Sequence, residues 1–98
     1  MNNFSKIVDE DQRLIILHVL SEDAGYSHNE YVIQSALEQL GHHVSSDTVH
    51  TQIAWLEEQR LVTTKNSGVL IVTLTTRGND VAKGRATVPG VKRPQPGL

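Results

Sequence analysis

Apolar residues crowd the stretch "RLIILHVL", where Leu14, Ile15, Ile16, Leu17, Val19 and Leu20 leave almost no polar side. Acids at 9–11 suit the positive end of a helix dipole and Gly25 ends the run, so the spacing predicts a helix over about 9–23. A helix that is apolar all round must be covered on more than one side. In a chain of 98 residues, the expected second cover is either another subunit, with Phe4, Ile7 and Ile16 as contacts, or the Phe4 and Ile7 segment folded back. The alternative is the central helix of a monomer.

Tyr31, Val32, Ala36, Leu37 and Leu40 recur at helical spacing between Ser27, His28 or Asn29 as the entry and Gly41 as the stop, a second helix over about 29–40. After "GHHVS", Ser45 or Ser46 caps a third helix with Asp47 in its first turn. Val49, Ile53 and Leu56, with Gln52 and Arg60, share one side of it. Asp47, Thr51, Ala54 and Glu58 lie opposite, and His50 sits on a flank.

The period then changes from 3.6 to 2. "LVTTK" and "VLIVTL" are rich in β-branched residues and are joined by "NSG", with Gly68 suited to the left-handed position of a bulged hairpin. Leu70, Val72 and Leu74 are expected to face the helices. "TTRGNDVAKG" then gives a short last helix, capped by Thr75 or Thr76 and stopped at Gly84. The predicted fold is mainly α with a small β-hairpin: three helices, a two-stranded wing and a short C-terminal helix, a winged helix-turn-helix. It occupies residues 1–84, followed over 85–98 by a Pro/Gly-rich basic tail, extended or disordered.

Composition changes this picture mainly through charge. Residues 1–58 hold ten acids against Lys6 and Arg13, whereas residues 59–98 hold one acid, Asp80, against seven bases. If the chain meets a polyanion, its basic end meets it first. The absence of cysteine excludes disulfides and thiol chemistry. The longest apolar run, "LIILHVL", is far below the roughly 20 residues that span a bilayer. A cytoplasmic protein with no membrane role is expected.

Local motifs add a resemblance. "DTVHTQIAWLEEQRLV" is similar to the third helix and first wing strand of ArsR and MarR type winged-helix repressors, and "LTTRGNDVA" resembles the "LTxxGxxxA" with which many of them leave the wing. Together with "ALEQLGHHVSSDTV" and "GRATVPGVKRP", the chain resembles a small ArsR-like family carried by Mu-like phages and prophages. The resemblance implies a winged helix acting on double-stranded DNA as a transcriptional regulator or accessory factor in the bacterial host. Arg60 departs from the glycine usual at its position, where the backbone is often left-handed. The third helix also lacks positive charge on its presenting face.

Residues able to reach base edges are Ser46, Asp47, His50, Thr51 and Ala54. Phosphate contacts fall to Lys65, Asn66 and Ser67 at the wing tip, with Arg77, Lys83 and Arg85 behind. Against this stands a solvated face kept for protein contacts, as in an adaptor of phage DNA packaging or head assembly. The arm "VPGVKRPQP" either lies in a minor groove or along a partner, or is disordered. Metal is not expected: His42 and His43 are adjacent turn residues that point apart, and His18 is a boundary residue on the first helix. Trp55 is expected to pack beside the wing strands or stay partly exposed, and Tyr26 and Tyr31 to close the second helix over the first. No nucleophile and base pair, paired carboxylates or phosphate loop appears, so neither an enzyme nor a cofactor is expected.

Overall fold

A computed structural model describes residues 3–96. In chain order it contains α1 (Asn3–Glu22), β1 (Ser27–Asn29), α2 (Glu30–Gln39), α3 (Ser46–Glu58), β2 (Val62–Asn66), β3 (Leu70–Leu74) and α4 (Thr76–Ala82). The caps follow local chemistry. Asn29 accepts from the Tyr31 and Val32 amides at the start of α2, Ser45 from Thr48 at α3, and Thr75 from Gly78 at α4. Gly41, Gly68 and Gly84 take positive φ at the predicted stops and wing turn.

The sheet has three antiparallel strands in the order β1-β3-β2, one more than the predicted wing. "SHN" is too short and too polar to show a period of two. It becomes a strand because β3 offers a free edge, on which Ser27, His28 and Asn29 pair with Thr73, Val72 and Ile71. A hydroxyl contact of 3.0 Å between Ser27 and Thr73 adds to the pairing. The architecture is therefore four helices and a three-stranded antiparallel sheet, winged-helix-like in outline.

The core joins Ile16, Leu17 and Leu20 of α1, Ile33 and Leu37 of α2, and Val49, Ile53 and Leu56 of α3 to Leu61, Val62, Val72 and Leu74 around the wing. Ile16 is fully buried, so it cannot contact another subunit as expected. The Phe4 and Ile7 segment does not fold back either. It continues α1 by two turns beyond the predicted start, with Phe4 71 % and Ile7 58 % exposed. Tyr26 and Tyr31 are both exposed and do not close α2 over α1.

The second cover of α1 comes from the other end of the chain. α1 packs against α4 as well as α2, α3 and β3. Beyond Gly84, residues 85–96 run without helix or strand, yet Val88 is buried at 6 % exposure and Ala86 and Val91 pack on the core. The Lys92 amide donates to the Glu10 carbonyl at 3.1 Å, and Arg13 donates to the Gly90 carbonyl at 3.1 Å. The arm is thus extended but docked as far as Pro94, which lies beside Gly84, and the packing unit does not stop at Gly84. Residues 97–98 of the predicted tail lie outside the described residues.

Arg60 has φ +63, the left-handed backbone foreseen at that position. Because α3 has already ended at Glu58, its side chain points to solvent and not along the buried side with Gln52. Gly78 of the "LTTRG" motif has a different reason to be glycine: a Cβ there would collide with the Leu61 carbonyl oxygen. Thr75 closes the same corner, donating to the Arg60 and Leu61 carbonyls at 2.9 and 3.0 Å.

Candidate nucleic-acid interface

Burial of Val49, Gln52, Ile53 and Leu56 fixes the rotation of α3. Ser46, Asp47, His50, Thr51 and Ala54 consequently all reach the surface. No described segment covers that face, which is the geometry a groove-entering helix needs. Its chemistry is neutral to acidic. Asp47, Glu57 and Glu58 are exposed on α3, and the helix contains no lysine or arginine.

Two of the face residues are engaged within the chain. Thr51 donates its hydroxyl to the Asp47 carbonyl at 2.9 Å. His50 Nε2 meets Glu30 Oε1 at 2.6 Å, while the Leu70 amide donates to Glu30 Oε2 at 2.7 Å. Glu30 therefore ties the start of α2 to both α3 and β3. The Leu70 amide and then His50 hold its carboxyl below its ordinary value of 4.5.

Lys65, Asn66 and Ser67 are exposed at the wing tip, where Asn66 Oδ1 accepts from the Gly68 amide at 3.2 Å. The three cations expected behind them do not converge on the α3 face. Arg77 donates to the Gln59 carbonyl at the far end of α3, 3.2 Å away. Arg85 pairs with Asp80 at 3.3 Å. Lys83 lies on the α1 side of the molecule, in a groove with Leu14, His18, Leu40, Lys92 and Arg93. The structure thus groups the base-edge set on one face and leaves Lys65 as the exposed cation of the wing. The phosphate set is split between separate sites.

The interactions missed in the sequence form a polar seam between α1, α3 and the arm. Gln52 Nε2 donates to Gln12 Oε1 and to Asp9 Oδ1, both at 3.0 Å, and Gln52 Oε1 accepts from Arg13 at 2.7 Å. The Arg13 guanidinium lies 4.0 Å from the centroid of Trp55. Gly90 covers the same ring, so closely that a Cβ would lie 2.5 Å from Trp55 Cζ2. Trp55 thus stays partly exposed, the second of the two placements expected, and its ring is covered by an arginine and the arm.

His42, expected as an exposed turn residue, belongs to this seam. It contacts Asp11 at 2.7 Å and Gln12 at 3.2 Å, and Lys92 reaches the same Asp11 at 3.3 Å. Burial alone would raise the Asp11 pKa, but hydrogen bonds from His42 and Lys92 outweigh it and hold the carboxyl below its ordinary 3.8. One sequence signal did point here: a glutamine, Gln52, on an otherwise apolar stripe needs a buried polar partner. His43 instead faces Glu38 at 3.4 Å, and His18 faces Glu22 at the same distance. Among the described residues, no group of three His, Asp or Glu side chains could hold a metal ion, and no helix is long and apolar enough to cross a membrane.

Comparison with known proteins adds ancestry and fold. No established family profile matches the chain. It is 54 % identical over 91 residues to the uncharacterized protein gp26 of Escherichia phage Mu, covering 92 % of this chain and 94 % of that one. It is 43 % identical over 77 residues to an uncharacterized Haemophilus influenzae protein, covering 76 % and 74 % of the two chains. Among solved structures, Bordetella bronchiseptica BpsR, whose DNA binding is regulated by 6-hydroxynicotinic acid, aligns with a TM-score of 0.55 at 18 % identity. That alignment covers 72 % of this chain but 48 % of BpsR, so the chain spans about half the length of that neighbour, and the likeness is one of fold.

Proposed function

Because the chain belongs to the family of phage Mu gp26, we propose that it is a DNA-binding protein of a Mu-like phage or prophage, non-catalytic and acting in the host cytoplasm. In this reading it serves as a transcriptional regulator or accessory factor. The observation that carries it is the exposed α3 face beside the exposed wing tip, with Ser46, Asp47, Thr51 and Ala54 at the surface together with His50, whose ring also meets Glu30. Base edges would meet hydroxyls, a methyl and an imidazole, and phosphates would meet Lys65, Asn66 and Ser67. With so few phosphate contacts, affinity for one copy is modest and falls with salt.

A second reading, an adaptor in phage DNA packaging or head assembly, is favoured by the acidity of α3 and by the splitting of Arg77, Lys83 and Arg85 away from its face. Anisotropy of labelled random-sequence duplex DNA separates the two. The DNA reading expects binding at low salt, with Lys65→Glu reducing the salt slope by about one phosphate contact. No binding at low salt, or binding indifferent to both Lys65→Glu and Arg77→Glu, overturns it in favour of the adaptor.

A further inference from the structure

The outer side of α1 carries a stripe at helical spacing: Phe4, Ile7, Asp11, Leu14, Ile15 and His18. Its two halves have opposite shapes. The first half, Phe4 and Ile7, projects into solvent with its large side chains uncovered. The second half is the wall of a groove completed by Leu40, Ala82 and Pro94. Apolar surface is thus presented both as a projection and as a recess, in line on one helix.

Charge follows the same division. Lys83, Lys92 and Arg93 rim the groove, and Lys83 and Arg93 have no carboxylate partner among the described residues. Glu10, one turn beyond Ile7 on the projecting half, forms no salt bridge among the described residues and has only the through-space field of Arg13, itself turned to Gln52 and Gly90, as a favourable charge. We propose that a second copy of this chain occupies the groove, through a two-fold antiparallel pairing of α1 in which each Phe4 and Ile7 enters the partner's recess.

Such a contact is isologous and closes on itself, because projection and recess lie on the same stripe. Ile7 of one copy lies opposite Leu14 and Ile15 of the other, Phe4 reaches the His18 and Leu40 end, and Glu10 meets the Lys83 and Arg93 rim. The two-fold axis then passes near Asp11. That carboxylate is already bonded to His42 at 2.7 Å and to Lys92 at 3.3 Å, so the axis does not join two bare like charges. Polar residues on α3 take no part, and the pairing holds whether or not the protein binds DNA.

Sedimentation of the full chain without DNA tests it. The expected result is a reversible dimer whose dissociation constant rises by about tenfold or more in Ile7→Glu and in Phe4→Ser. Melting temperatures measured below the native dissociation constant should stay near that of the native protein, since both side chains are exposed in the single chain. Lys83→Glu and Glu10→Lys should each weaken the dimer, and mixing those two variants should recover part of it through the re-formed pair of charges. A native monomer at every concentration, or a dimer indifferent to Ile7→Glu, overturns the proposal.

Discussion

The two faces of α3 use polar residues in opposite ways. Towards α1, Gln52 is buried and saturated by Gln12, Asp9 and Arg13, and Trp55 is roofed by Arg13 and Gly90. Towards solvent, Asp47, Thr51 and Ala54 are exposed, and among the described residues the side-chain hydrogen bond on this face that leaves the helix is that of His50 with Glu30. The first face spends its polar groups on holding the arm and α1 in place. The second leaves them available, so only the second can serve an external ligand without unfolding something.

The sharpest break of this contrast comes from Gly90. Gly90→Ala forces a Cβ against Trp55 at a backbone with φ +102, and should cost about 2–3 kcal/mol in urea unfolding. The single tryptophan reports it directly, since release of the arm exposes Trp55 and shifts its fluorescence to the red. Thr51→Ala on the open face should stay within about 0.5 kcal/mol. A Gly90→Ala loss as small as that expected of Thr51→Ala would show that the arm contributes nothing to stability.

Acid separates the two faces more gently. Glu30 and Asp11 both have folded-state pKa values below their ordinary 4.5 and 3.8, so each contributes stability that is present above those values and lost as pH falls through the lowered ones. Glu30→Gln and Asp11→Asn should each lower the melting temperature at neutral pH and flatten its decline below about pH 5. Only Asp11→Asn should disturb Trp55 fluorescence, because only Asp11 holds Lys92 of the arm. A Trp55 response in Glu30→Gln would mean that the two faces are coupled.

The smallest effect is expected at Arg60, which belongs to neither face. Its left-handed backbone costs an arginine about 1 kcal/mol relative to glycine, and its side chain is exposed. Arg60→Gly should therefore be neutral or stabilising in chemical denaturation. A clear loss would reveal a contact of the guanidinium with one of the faces.

Local signals account for much of the fold. Ser45, Asn29 and Thr75 act as caps, Gly68 turns the wing, and Val49, Ile53 and Leu56 set the buried side of α3, each through interactions within a few residues. The base-edge candidates were legible for the same reason, as the complement of that buried stripe. What escaped was non-local. β1 exists through the edge of β3, His42 through Asp11, and the arm through Glu10, Arg13 and Trp55, contacts that join residues far apart in the chain.

The basic segment shows the division most clearly. Composition alone assigns Lys92, Arg93 and three prolines to a free arm, because such residues bury little apolar surface. The tertiary structure assigns them to a docked strap, because Val88 and Val91 find core, and Gly90 finds the flat ring of Trp55. The sequence by itself determined the helices, the wing turn and the face that α3 presents, since periodicity and caps are short-range. Only the tertiary structure decided where the positive charge goes, since charge far apart in sequence is sorted by packing.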